Sequence, residues 1–281
     1  MLPEKLHFPV NGSFILSLGE AKKIRVNTNP TSYLSRLLFW QGIKGFEYHS
    51  IRIFIELAKK SSIFFDIGAN IGYYSLVSKA FNKAIRVIGF EPMPAANKYF
   101  KMNVESNDFN NITVEDFALS NFQGDATFYA IKNPKFPEIA DHLSGDGGLS
   151  SKQSGARSVE SFKVKCITLD EYIKMKLKPD DKIDLIKLDT EASEHLVLQG
   201  AKNVLANHRP IILCEVLHDH IEAELESIFS VNDYAFYKAY PDGLRKVRSL
   251  MNNLDNVVDY FFVPLEKIVL IKNFEARNGK R

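Results

Sequence analysis

The sequence predicts a doubly wound α/β domain, a mostly parallel sheet closed by a terminal antiparallel hairpin, with a small N-terminal cap. Three observations carry that reading. Between residues 63 and 216, short runs apolar at nearly every position alternate with helical patterns, as strands buried on both faces of a parallel sheet require. After residue 216 the alternation stops: YAFYKAY runs into Pro241-Asp242-Gly243, a turn signal, and VVDYFFV follows without a convincing helix between, which suits an antiparallel pair. The first 60 residues do not fit the repeat at all.

The elements follow in order. Phe14–Leu18 and Ile24–Val26 form a small hairpin, and Tyr33–Leu38 and Ser50–Lys60 are helical; together they make the cap, residues 1–60, with Trp40 in its core. The main domain spans 61–270. Ile63–Ile67 (IFFDI) is its first strand and Asn70–Phe81 the helix after it. Ile85–Phe90 (IRVIGF) precedes a helix over Pro94–Val104, since proline suits the first helical turn. Ile112–Leu119, Ala126–Ile131 and Phe162–Thr168 are the next strands. Ile183–Leu188 (IDLIKL), a helix over Glu194–Leu205 and Ile211–Val216 (IILCEV) complete the parallel part. Ser144–Ser161 is too rich in Gly and Ser to pack and reads as a mobile loop. Residues 271–281 form a basic tail.

Composition narrows the class. A chain of 281 residues with 45% hydrophobic and 25% charged residues is an ordinary globular protein, one large domain or one domain with an appendage. A formal net charge of +2 gives no long-range attraction to nucleic acid or acidic membranes. Two cysteines, Cys166 and Cys214, exclude a disulfide framework and a four-cysteine zinc site; both sit in apolar stretches and read as buried thiols. No apolar run approaches the ~20 residues of a membrane span. Glu4 and His7 interrupt the N-terminus where a signal peptide needs an apolar core, so a cytoplasmic location is expected.

The chemistry is read at the strand ends. Phe65-Asp66-Ile67-Gly68-Ala69-Asn70-Ile71-Gly72 ends a strand and opens a helix. Asn70 stands where a dinucleotide fingerprint needs its second glycine, and Asp66 would repel a pyrophosphate while attracting a cation. S-adenosylmethionine fits that inversion, because it carries an ammonium, a sulfonium and a carboxylate but no phosphate. Asp66, Gly68, Asn70 and Gly72 would hold its amino-acid end, with helix-start N–H groups meeting the carboxylate. Glu91, ending the second strand, would hold the ribose hydroxyls. Asp116 and Phe117, after the third, would hold the adenine, with Glu115 competing for Asp116's role. The structural alternative is that Asp66 caps the helix, Glu91 is a surface acid and the glycines only shape the turn.

FDIGANIGYYS, GFEPMPAANKYFKMNV, ALSN, ITLDEYI, and IDLIKLDTEASEHLVLQGA followed by RPIILCEV resemble the FkbM-type methyltransferases over approximately residues 47–263. The resemblance implies a Rossmann-like methyltransferase fold, S-adenosylmethionine as cofactor and O-methylation of hydroxyls on natural products or sugars. The chain departs from the family at Ala192, where D-x-E-G is usual.

Asp189 closes the fourth strand and Glu215 the fifth, and in a doubly wound sheet both border the ligand crevice. Methyl transfer to oxygen needs an aligned acceptor and removal of its proton. Asp189 is therefore placed near the sulfonium, and Glu215 at the acceptor as contact or base. Asp189, Glu191 and Glu215 would be the oxygen ligands of a competing reading with Mg²⁺; the favoured reading has no metal. Glu191 and Glu194 also suit a helix N-terminus, and His142, His195, His218 and His220 are weak candidates. The cap and the Ser144–Ser161 loop are expected to close over a small-molecule or saccharide acceptor, not a nucleic acid. Two rival readings stand beside this one, an NAD-dependent oxidoreductase and a non-catalytic protein retaining the cofactor fold.

Overall fold

In the computed structural model the chain is described over residues 6–143, 145, 147–149, 158–217, 221–251, 255 and 257–276. Strands β1 (Gly12–Gly19) and β2 (Lys22–Thr28) form the expected antiparallel hairpin, followed by helices α1 (Tyr33–Gln41) and α2 (Tyr48–Ala58). The repeat then runs through β3 (Ile63–Ile67), α3 (Tyr73–Phe81), β4 (Arg86–Phe90), α4 (Pro94–Ser106), β5 (Ile112–Glu115), β6 (Ala118–Leu119), β7 (Gly124–Ile131) and β8 (Val159–Ile167). Next come α5 (Leu169–Lys176), β9 (Leu185–Leu188), α6 (Glu194–Gln199), β10 (Ile211–Glu215) and α7 (Glu222–Val231). The chain closes with β11 (Tyr234–Tyr240), β12 (Gly243–Val247) and β13 (Asp259–Pro264).

Eight of these strands make the central sheet, in the order β12-β11-β13-β10-β9-β3-β4-β5. From β10 to β5 every pairing is parallel; β13 runs antiparallel to both β10 and β11, and β12 antiparallel to β11. This is the doubly wound, mostly parallel α/β architecture of the Rossmann-like fold. Its two faces are separately covered. Phe64, Leu185, Leu213 and Phe261 pack with α2, α3 and the β1–β2 hairpin in one core, whereas Phe65, Ile186, Ile212 and Phe262 pack with α5, α6 and α7 in the other. On the first face Phe54 of α2 lies edge-on to both Phe64 and Tyr74, with centroids 4.9 and 4.8 Å away, a burial that contributes roughly 2–3 kcal/mol.

The structure departs from the sequence expectation in five places. The run Ile112–Leu119 breaks at Asp116-Phe117, and β6 leaves to join β8 and β7 in a separate three-stranded sheet. The alternating exposure of β7 and β8 marks strands covered on one face only. Strand β8 begins at Val159, inside the stretch read as a loop; residues 144, 146 and 150–157 of that stretch lie outside the described residues. Helices α5 and α7 were not expected; Thr168 caps α5 by accepting from the Glu171 N–H at 3.2 Å. The helix expected over Glu194–Leu205 ends at Gln199, and Val204–His208 forms a π turn. Finally, the terminal hairpin has a third member. β12 follows the Pro241-Asp242 turn and pairs with β11, while β13 inserts between β10 and β11.

The N-terminal segment is fastened to the main domain by polar ties as well as by the shared core. Asn103 of α4 accepts from the Asn27 N–H at 2.6 Å and donates to the Ile71 carbonyl, and Asn107 exchanges two bonds with the Arg25 backbone. Trp40 is half-buried, stacked on His7 rather than set in a core. Cys166 and Cys214 are buried free thiols. Among the described residues no helix is long and apolar enough to cross a membrane. The basic tail residues 277–281 lie outside the described residues.

Candidate active site

Side chains alternate across a strand, so Asp66 points to the face that carries Phe64, and Lys187 to the face that carries Leu185. By the same alternation Glu215 shares a face with Leu213, and Asp259 with Phe261. Register sets them side by side: Asp66 lies opposite Lys187, and Glu215 opposite Asp259. Four charged residues on neighbouring strands therefore converge beneath the N-terminal segment. They line a cavity of about 400 Å³ together with Gly68, Asn70, Glu91, Phe117, Asp189 and residues of α1 and the loop before α2, a volume within the usual range for cofactor and small-ligand sites.

The glycine loop is built by close approach. A Cβ at Gly68 would stand 1.7 Å from the Asp189 carbonyl oxygen, and its φ is +77°; only glycine lets the end of β9 pass there. Gly72 (φ +84°) makes room for the Phe100 ring, 2.1 Å from where its Cβ would be, and does not line the cavity. Asp66 accepts from the Ser75 N–H at 2.9 Å and from the Ser75 hydroxyl at 2.6 Å through one oxygen. One of the helix-start donors expected to meet a ligand carboxylate is thus already used, while Asp66 itself still borders the cavity. Burial raises the Asp66 carboxyl to about 6, against the pull of those Ser75 bonds and of Lys187.

Glu91 is not a surface acid. It is buried, and its two oxygens accept from the Asn70 N–H at 2.7 Å and the Met93 N–H at 2.8 Å, so it fastens the glycine loop to the start of α4. Burial lifts it to about 7 despite both donors. A carboxylate offers about four acceptor positions, which leaves lone pairs for a ligand hydroxyl. The Asn70 side-chain oxygen is buried without a partner among the described residues. Phe117 lines the cavity with Pro92, Met93 and Ala118 and also borders a second groove with Lys98, Lys163 and Lys165; Asp116 borders only that second groove. The chain turns at 116–117 to leave β5 for β6. Glu115, the competitor, is engaged by the Tyr172 hydroxyl at 2.8 Å.

Asp189 and Glu215 both line the cavity. Burial, and then Asp189, raise Glu215 to about 8. One oxygen from each of Asp189, Glu191 and Glu215 lies within 4.8 Å of the others, an arrangement able to hold a cation. Glu194 is buried and locks the turn after β9 by accepting from the Thr190 N–H at 2.6 Å. His142 accepts from the Asn133 N–H; neither it nor His195 lines the cavity, and burial lowers both below the ordinary histidine value. His218 and His220 lie outside the described residues.

Four cavity residues were not anticipated. Lys187 is buried and bonds to Asp189 at 3.2 Å and Glu47 at 3.5 Å. Burial opposes its charge, yet Asp189, Glu47, Asp259 and Glu215 hold it well above the ordinary lysine value. Glu47 also accepts from the Tyr74 hydroxyl, and Asp259 from the Ser50 hydroxyl. Burial raises both carboxyls, Glu47 to about 8. Tyr73, the first residue of α3, lines the cavity with a hydroxyl that has no partner among the described residues. A signal existed for two of them: a charge inside the apolar runs IDLIKL and VVDYFFV must find a buried partner. Glu47 and Tyr73 carried none.

A parallel sheet of this order, with its polar residues gathered beyond the carboxyl ends of β3, β4, β9 and β10, defines a Rossmann-like α/β domain with a ligand crevice at its usual place. The family model of the Methyltransferase FkbM domain matches residues 66–257. The chain belongs to the FkbM methyltransferase family. It is 30% identical over 152 residues to Methyltransferase sdnD of Sordaria araneosa, covering 48% of this chain and 58% of that relative. The chain thus spans little more than half the length of the curated relative it matches. Among solved structures, Methyltransferase FkbM from Methylobacillus flagellatus KT aligns over 72% of this chain and 43% of its own, with 18% identity and a TM-score of 0.45. M. jannaschii TYW2 in complex with AdoMet aligns over 92% and 89%, with 13% identity and a TM-score of 0.41.

Proposed function

We propose that the chain binds S-adenosylmethionine in this cavity and methylates a hydroxyl of a small molecule, a saccharide or a natural product, by in-line transfer. The observation that carries the reading is the charge of the cavity: Asp66, Glu91, Asp189, Glu191 and Glu215 meet at the strand ends, and Lys187 is the only cation lining it among the described residues. That set suits a phosphate-free ligand bearing an ammonium and a sulfonium, and opposes a pyrophosphate. When bound, S-adenosylmethionine supplies a methyl group already activated on sulfur. Asp66 and Asn70 would hold the amino-acid end, Glu91 the ribose and Phe117 the adenine face. Asp189, tied to Lys187, would stand near the sulfonium. Glu215 would take the acceptor's proton, and its affinity for one, near pH 8, fits a general base working close to neutrality.

Calorimetry tests the cofactor: S-adenosylhomocysteine should bind and NAD should not, and the reverse would leave the oxidoreductase reading standing. Asp66→Ala should weaken S-adenosylhomocysteine binding, whereas Glu215→Gln should lower kcat by roughly 10²–10⁴-fold, the usual range for a lost general base, with little change in cofactor affinity. The carboxylate trio at Asp189 supports a second reading in which Mg²⁺ binds the acceptor oxygen. It requires activity to vanish in EDTA and return with Mg²⁺; activity unaffected by EDTA retires it.

A further inference from the structure

The cavity has a half that the cofactor residues do not account for. Leu34 and Leu37 of α1, with Phe46 and Glu47 before α2, line it, and Glu47 pairs there with Lys187. Glu47 holds a left-handed backbone (φ +43°), which is strained for a glutamate and is found where surrounding structure enforces it. That backbone caps α2 through the Glu47 carbonyl, while the side chain meets Lys187 and the Tyr74 hydroxyl. Tyr73 is only 3% exposed, yet its hydroxyl has no partner among the described residues. A buried hydroxyl left unpaired in a cavity wall is costly and invites a ligand group. Lys187 is already divided between Glu47 and Asp189, so no lining cation among the described residues is free to neutralise an incoming anion.

We propose that this half is the acceptor subsite, that Glu47 and the Tyr73 hydroxyl engage a hydroxyl of the acceptor, and that the subsite admits uncharged alcohols with an apolar body while excluding anionic ones. The proposal rests on the methyl-transfer reading above. A hydroxyl group can donate to Glu47 and accept from Tyr73, satisfying both. A carboxylate or phosphate there sheds its water and meets acidic side chains with no free cation to offset the loss, since Lys187 is already shared. Leu34, Leu37 and Phe46 supply an apolar wall for the body of the molecule.

A matched pair of probes tests it: p-nitrophenyl β-D-glucopyranoside and p-nitrophenyl β-D-glucuronide differ only in a hydroxymethyl against a carboxylate. Saturation-transfer NMR on the wild-type protein loaded with S-adenosylhomocysteine should show the glucoside binding at least ten-fold more tightly. Tyr73→Phe, which removes only the unpaired oxygen, should weaken the glucoside at least three-fold with S-adenosylhomocysteine affinity unchanged. Glu47→Gln, if its thermal midpoint stays near wild type, should narrow the gap between the probes. Equal binding of both probes, or binding of neither, overturns the proposal. So does a loss of S-adenosylhomocysteine affinity in Tyr73→Phe, which would assign that hydroxyl to the cofactor. Failure of wild type to bind S-adenosylhomocysteine would instead sink the methyl-transfer reading itself.

Discussion

Glu191 and Ala192, in the turn after β9, both hold left-handed backbone, with φ of +55° and +68°. Alanine there lacks the freedom of the glycine usual in its family, and the cost of left-handed backbone is on the order of 1 kcal/mol. Ala192→Gly should therefore stabilise the protein by about 0.5–1 kcal/mol, read as a rise in the urea midpoint with an unchanged m-value. The position was legible in the sequence, because Asp189-Thr190-Glu191-Ala192 departs from a glycine-bearing motif at one residue; the sign needed the left-handed φ at Ala192. Lys187 was legible only by half. The run IDLIKL carries its charge in plain view, but only the structure shows that it lies on the face of Leu185 and that a partner comes from residue 47. Lys187→Met, which strands Asp189 and Glu47 without their cation, should cost about 3 kcal/mol in the same measurement.

At the scale of elements, the attachment of β2 to α4 carries a further expectation. Asn103 is fully buried and serves the Asn27 N–H and the Ile71 carbonyl together. Asn103→Ala leaves both unpaired and should cost roughly 2–4 kcal/mol; native-state hydrogen exchange should then show faster opening of the β1–β2 hairpin than of β3. Most strands and the first helices were readable because their apolar runs or periodicities are intrinsic to the segment. The strands β7 and β8 were found, but their sheet was not, since one covered face or two is decided by what packs against them. Helices α5 and α7, LDEYIKMK and EAELESIFSV, escaped notice; each is held by docking Tyr172, or Leu225 and Phe229, into the second core.

For the whole molecule, the buried acids set the dependence of stability on pH. Asp66 titrates near 6, Glu91 and Glu194 near 7, and Glu47 and Glu215 near 8, all raised first by burial. Each binds its proton more tightly folded than unfolded, so its contribution is full below the ordinary carboxyl value and is lost as pH rises through the folded value. His142, His195 and His208, lowered by burial, act in the opposite sense up to about 6.5, the ordinary histidine value. The thermal midpoint of the ligand-free protein should therefore fall between pH 6.5 and pH 8. Bound S-adenosylhomocysteine, through its ammonium, should flatten that slope, and a midpoint that rises over the interval would contradict the buried-acid picture. On the acid side Asp255 and Glu266, both held near 2, reverse the sign.

Local pattern alone determined the alternating α/β order, the glycine turn after the first strand and the acids at the strand ends, because hydrophobic periodicity and turn chemistry are properties of a few consecutive residues. The tertiary structure decided which of those acids share a cavity. It sent Gly72 to Phe100 and Asp116 to another groove, and it brought Glu47, Tyr73, Lys187 and Asp259 to Glu215. Those meetings depend on strand register and on the docking of the N-terminal segment, and both are set by contacts between residues far apart in the chain.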